Sequence, residues 1–109
     1  MNVRLYIWQR ATAALMLPLV LGHLAVIFYA TRQNLTAADI LGRTHDSMLW
    51  AAYYGLFVAA ASIHASIGVR NVLAEWSPLT DRLAGFAAIA LGLLLAALGF
   101  HAVVALVLT

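Results

Sequence analysis

The stretch MLWAAYYGLFVAAASIHASIGV, from Met48 to Val69, carries no charged side chain. About 20 residues at ~1.5 Å rise cross a hydrocarbon core of about 30 Å, so this stretch is long enough to span a membrane as one helix. The pattern repeats on both sides. ATAALMLPLVLGHLAVIFYA, from Ala11 to Ala30, is uncharged, and from Leu83 to Leu108 no charge follows Arg82. The expected fold class is therefore all-α, an integral membrane bundle of three transmembrane helices at about 11–30, 48–70 and 83–108, forming a single domain over 1–109.

Composition agrees. Of 109 residues, 65% are apolar and 9% charged, whereas a soluble domain of this size carries roughly a quarter charged residues. Mean hydropathy is +0.96. A water-soluble globule and a disordered tail are excluded, and so is a nucleic-acid binder, because the net charge of +2 comes from scattered Arg. The absence of Cys removes disulfides, zinc-thiolate sites, iron–sulfur ligation and c-type haem attachment within the chain.

The connections are polar. Thr36-Ala-Ala-Asp39 has the form of a capping box opening a short interfacial helix at 36–43. Pro78 stops the second span, and Ser77 or Thr80 can cap the third. Arg4, Arg10, Arg70 and Arg82 fall on one side of the bundle, and Arg32 and Arg43 on the other. The positive-inside rule then places the N-terminus in the cytoplasm and the C-terminus outside. A cleaved signal peptide does not fit the first span, which runs well past the ~7–15 residues of a signal core and ends in Phe28-Tyr29.

Three histidines, His23, His64 and His101, lie inside the spans, and His45 lies in a polar loop. An ionisable group in hydrocarbon is costly unless paired or liganded. Each is either a neutral imidazole bonded to a neighbouring helix or a ligand. His64 has the clearest context: Ala60, Ala61 and Gly68 stand one turn away, and small residues there clear a groove that suits either close helix packing or a planar macrocycle. Arg70, nearer the cytoplasmic end, could meet carboxylates of a buried cofactor. A nitrogen ligand, room for a ring and a counter-charge are the needs of haem b. Counted along each span at ~1.5 Å per residue, no two of the three histidines share a depth. One iron would therefore take its second axial ligand from another subunit or a second copy. Pro18 is expected to kink the first helix. In the third span, Ala84, Ala88, Gly92 and Ala96 recur every four residues and Gly85, Gly92 and Gly99 every seven, a face for close helix contact. At the cytoplasmic surface Trp8, Gln9, Arg10 and Thr12 open the first helix and Glu75-Trp76 closes the second. Trp and Arg there are ordinary anchors, but Arg10 and Trp76 also suit a quinone, whose carbonyls accept hydrogen bonds and whose ring stacks.

Two patches resemble the small three-helix cytochrome b anchor subunits of succinate dehydrogenase and its relative fumarate reductase. Trp8-Gln9-Arg10-Ala11-Thr12-Ala13 is similar to that family's aromatic-x-Arg-x-Thr/Ser-small opening of the first helix, and His64-x-x-x-Gly68-x-Arg70-x-x-x-x-Glu75-Trp76 to its His-x-x-x-Gly segment closed by an acidic residue and an aromatic. The resemblance implies that His64 is an axial ligand (and so the metal-binding residue) of haem b, with Gly68 and Arg70 beside the cofactor. It also implies that Arg10 and Trp76 border a site for ubiquinone or menaquinone. Trp76 stands where one anchor type has Tyr, and Glu75 where Asp is usual. Implied partners are a flavoprotein subunit and an iron–sulfur subunit on the cytoplasmic face, membrane lipid, and a second anchor subunit or a second copy in a homodimer sharing the haem. The expected location is the inner (plasma) membrane of a bacterium. Two other classes stay open: a haem-free anchor of another peripheral dehydrogenase, and a small transporter or assembly protein using its histidines.

Overall fold

Uncharged runs rich in Ala and Leu satisfy every backbone group internally as helix, the condition for crossing hydrocarbon. The computed structural model, which describes residues 3–108, has four helices: α1 (Val3–Arg32), α2 (Ala37–Thr44), α3 (Met48–Trp76) and α4 (Asp81–Leu108). No strand occurs among the described residues. α1, α3 and α4 are long and apolar enough to cross a membrane.

These three are 28 to 30 residues long, about 42–45 Å at the helical rise, and the longest dimension of the molecule is 48 Å. They outrun the ~30 Å core, so their ends project into the interface. α1 begins at Val3, before the uncharged run, and α3 continues beyond Arg70 to Trp76. Trp8, Arg10 and Trp76 therefore sit on helices. α1 contains Pro18 and stays one helix.

Local chemistry sets the helix ends. α1 closes in a Schellman motif: Leu35 N–H reaches Ala30 O at 3.0 Å and Asn34 N–H reaches Thr31 O at 3.2 Å. Asn34 takes φ 52°, a left-handed position that Asn tolerates. At α2, Thr36 Oγ1 accepts from Asp39 N–H at 3.2 Å and Asp39 Oδ2 from Thr36 N–H at 2.9 Å, a complete capping box. These hydrogen bonds, the backbone one foremost, hold the Asp39 carboxyl below its ordinary pKa. Ser47 Oγ caps α3 through Trp50 N–H, and Thr80 Oγ1 caps α4 through Leu83 N–H. Ser77 closes α3 by donating to Leu73 O at 2.6 Å. The end of α2 and the α2–α3 connection also cap the far end of α4, where Thr44 Oγ1 donates to Leu106 O at 2.8 Å and Asp46 N–H to Val107 O at 2.7 Å. Carbonyls of a last helical turn have no partner within their own helix.

α3 is the central helix. It packs along α4 and along α1, while α1 and α4 share no extended contact. The α3–α4 seam uses the small-residue face: Ala84 and Ala88 are fully buried, and Gly92 lies so close to Ser66 that a Cβ would stand 3.0 Å from the Ser66 Cβ. Ser66 Oγ donates to Ala88 O at 2.8 Å across the seam. Gly85 meets nothing within 4 Å and takes no part. α1 faces α3 with Gln9, Thr12, Met16, Leu19, His23 and Val26, spaced by three or four. Here Gly22 admits Tyr53, whose hydroxyl donates to Leu19 O. Most large apolar side chains remain exposed, as a surface facing lipid or other helices must be.

Candidate functional site

α3 presents two polar faces. Ser62 and Ser66, four residues apart, turn toward α4; His64, Gly68 and Asn71 turn toward α1. The second face meets the opening turns of α1, and there a polar cluster forms. Thr12, only 5% exposed, places Oγ1 3.3 Å from His64 Nδ1. The same oxygen lies 2.8 Å from Trp8 O and 3.0 Å from Gln9 O. One turn toward the N-terminus, Gln9 Oε1 accepts from Asn71 Nδ2 at 3.1 Å. Asn71 Oδ1 in turn accepts a long 3.5 Å hydrogen bond from Arg70 Nη1. Gln9 also lies over Gly68, where a Cβ would come 3.6 Å from Gln9 Nε2.

Of the two uses expected of the small-residue groove around His64, close helix packing is the one seen on its Gly68 side. The small residues are present, and Ala60 is buried (3% exposed), but α1 fills the Gly68 side with Gln9 instead of leaving it open. The part of His64 left uncommitted is its other nitrogen. Nε2 makes no hydrogen bond to the described residues, and it is not among their buried unpartnered atoms. A neutral imidazole held at Nδ1 with Nε2 unengaged fits a single axial ligand to a metal.

Arg70 is half-buried, two turns from His64 and tied to Asn71. Arg10 is exposed, its guanidinium 5.6 Å from the ring centroid of Tyr6 on the same helix. Its N–H donors bond to no described residue. Trp76 is 83% exposed at the end of α3. With Gln9 paired to Asn71, Trp76 lies about 9 Å further along the bundle than the level of Arg10. The structure brings Thr12, His64, Gln9, Gly68, Asn71 and Arg70 together, and does not bring Arg10 and Trp76 into contact.

The histidine depths need correction. His23 packs edge-on against Tyr54 and Phe57, with centroids 5.7 and 5.5 Å away. It shares a cavity of about 330 Å³ with Gly99 and Ala102, on the α4 turn that carries His101. His23 and His101 therefore lie at a similar level, one on α1 and the other on α4. Counting from the edges of apolar runs fails because each helix extends into the interface by a different length. Neither is level with His64, which lies against Thr12, some 16 Å along α1 from His23. His101 is exposed on α4, whereas His23 Nδ1 is buried with no hydrogen-bond partner. His45 is exposed, its Nε2 3.2 Å from Asp46 Oδ2. No group of three or more His, Cys, Asp or Glu side chains gathers as a metal site among the described residues.

Thr12, Gln9 and Asn71 carry the contacts at the site, yet sequence reading gave them no role. Their signal was available. In a helix apolar all round, the few polar side chains mark the protein-facing stripe, and Gln9, Thr12 and His23 fall on one three-four spacing.

The family model described as succinate dehydrogenase/fumarate reductase transmembrane subunit matches residues 1–100. Comparison with curated proteins and with solved structures gives no match.

Proposed function

The chain belongs to the succinate dehydrogenase/fumarate reductase transmembrane subunit family, and from that premise we propose that it is the haem b-binding membrane anchor of a succinate:quinone oxidoreductase. The observation that carries this reading is His64, held at Nδ1 in the α1–α3 seam with Nε2 uncommitted. His64 would ligate the haem iron and Arg70, held by Asn71, would neutralise its propionates, while Gly68 lets Gln9 of α1 approach α3 beside them. When bound, haem b supplies a one-electron redox centre inside the membrane.

Among the described residues His64 is the one histidine at that level, so a second ligand to the iron would come from another anchor subunit or from His64 of a second copy. Arg10, with exposed and unengaged donors, orients the quinone by hydrogen bonding to a carbonyl. Trp76 would approach the same quinone from the end of α3 and can donate from its indole nitrogen. The quinone is ubiquinone or menaquinone. Flavoprotein and iron–sulfur subunits dock on the face that carries Arg4, Arg10, Trp76 and Arg82. The positive-inside rule makes that face cytoplasmic in a bacterial inner membrane. This chain itself oxidises no succinate; its residues bind, orient and anchor.

The experiment is purification of the complex through a tag on this chain, with subunits identified and haem quantified per copy. Flavoprotein and iron–sulfur subunits with one haem per two copies and no second anchor favour the homodimer. One haem per copy with a different small subunit favours the heterodimer. A complex without haem overturns the haem assignment and leaves a plain anchor.

A further inference from the structure

The contact between Thr12 and His64 determines which nitrogen of the imidazole is available. Thr12 Oγ1 has one proton and two closer acceptors on its own helix, Trp8 O at 2.8 Å and Gln9 O at 3.0 Å. Giving that proton to His64 Nδ1 at 3.3 Å would exchange two nearer acceptors for a more distant one. With the proton committed to the backbone, the hydroxyl turns lone pairs toward His64. A bare Nδ1 would then oppose lone pair to lone pair in a seam where Thr12 is buried. The arrangement is satisfied only when Nδ1 carries the hydrogen and Thr12 accepts it. That tautomer leaves the lone pair on Nε2, the nitrogen with no partner among the described residues. Among the described residues no other hydrogen bond orients the ring, and the residues one turn away on α3 are Ala60, Ala61 and Gly68.

We infer that Thr12 is the positioning residue of His64: by accepting the Nδ1 hydrogen it fixes the tautomer and ring orientation that offer Nε2 to an iron. This inference rests on the haem-binding reading above. A ligating histidine as a rule donates its other N–H to a carboxylate, carbonyl or water; here a neutral hydroxyl from the neighbouring helix takes that place. Because that hydroxyl is anchored on Trp8 O and Gln9 O, the ligand's orientation is set by the opening turns of α1, the segment that also carries Arg10. Accepting the N–H makes the imidazole a stronger donor to iron and favours the oxidised metal.

The test uses the purified complex with Thr12→Val, Thr12→Ala, Thr12→Ser and His64→Leu. Read-outs are haem content, the low-spin electron paramagnetic resonance signal and the haem midpoint potential. Thr12→Val, which keeps the shape and removes the acceptor, is expected to weaken haem retention on the order of 10–100-fold. It should also shift the resonance and raise the midpoint potential. Thr12→Ser should restore all three, and Thr12→Ala stands in for Val if that complex fails to assemble. Wild-type potential and resonance in both the Val and Ala variants, with haem lost in His64→Leu, would overturn the role of Thr12 and leave the haem assignment intact. Full haem in His64→Leu would overturn the haem assignment itself.

Discussion

Replacing Gly99 by Ala tests whether α3 and α4 are in van der Waals contact along their outer halves. The added Cβ would lie 2.5 Å from Val58 Cγ1, 2.9 Å from Cγ2 and 3.3 Å from Cβ, where carbon pairs prefer about 3.5–4.0 Å. Val58 cannot easily swing away, since a β-branched side chain in a helix has essentially one rotamer. The helices must part by roughly 1 Å or the valine must strain, an overpacking cost of about 1–3 kcal/mol. Gly-to-Ala also raises helix propensity by about 1 kcal/mol, so the variant alone mixes two effects of opposite sign. Gly85→Ala separates them. It adds the same methyl on the same helix with nothing within 4 Å and should be neutral to stabilising. The difference between the two variants is then packing alone, about 1–3 kcal/mol against Gly99→Ala. Reversible SDS titration of the full chain in mixed micelles, followed by tryptophan fluorescence, measures it. Adding Val58→Ala to Gly99→Ala should recover much of the loss. Equal stability of the Gly99 and Gly85 variants would refute this packing.

Gln9 and Asn71 should be coupled: a double-mutant cycle with Gln9→Leu and Asn71→Leu, by the same titration, should give about 0.6 kcal/mol, the usual size of an interhelical hydrogen bond in a membrane. A coupling indistinguishable from zero would mean that the 3.1 Å bond holds nothing. His23→Phe keeps a ring between Tyr54 and Phe57 and removes a buried nitrogen without a partner. It should stabilise the chain by about 1–3 kcal/mol, and a loss of stability would show that the nitrogen is engaged. At α2, the Asp39 carboxyl is held below its ordinary value by the capping hydrogen bonds. The stabilisation it lends the helix is therefore present above that ordinary value and lost as pH falls through the lowered one. Amide exchange at Thr36, corrected for intrinsic rate, should stay protected near pH 5 and lose protection only in stronger acid, and an Asp39→Asn chain should lack that transition.

The three spans could be read from the sequence because hydrocarbon excludes charge so strictly that uncharged length alone identifies a crossing helix. The contact face of α4 was legible for a related reason, since only Ala and Gly let backbones approach. Ala84, Ala88 and Gly92 pack on α3, while Gly85 keeps the seven-residue spacing but cedes its level to the buried Ala84 beside it. Depth was not legible. His23 and His101 lie at a similar level that the apolar runs concealed, because a helix does not stop where its apolar run stops. The surroundings of His64 were half legible: its small neighbours are local in sequence, but Gln9 and Thr12 reach it from another helix. Such an encounter depends on the α1–α3 register, which the apolar pattern leaves unspecified.

A reduced-minus-oxidised spectrum of the purified complex, with haem quantified, for the wild-type chain and for His64→Leu tests His64 as the ligand most directly. The wild type should show a b-type α band. The variant should lack that band while its anchor and soluble subunits remain assembled. A wild-type complex without the band, or a His64→Leu complex that keeps it in full, would contradict the assignment of His64 as the ligand.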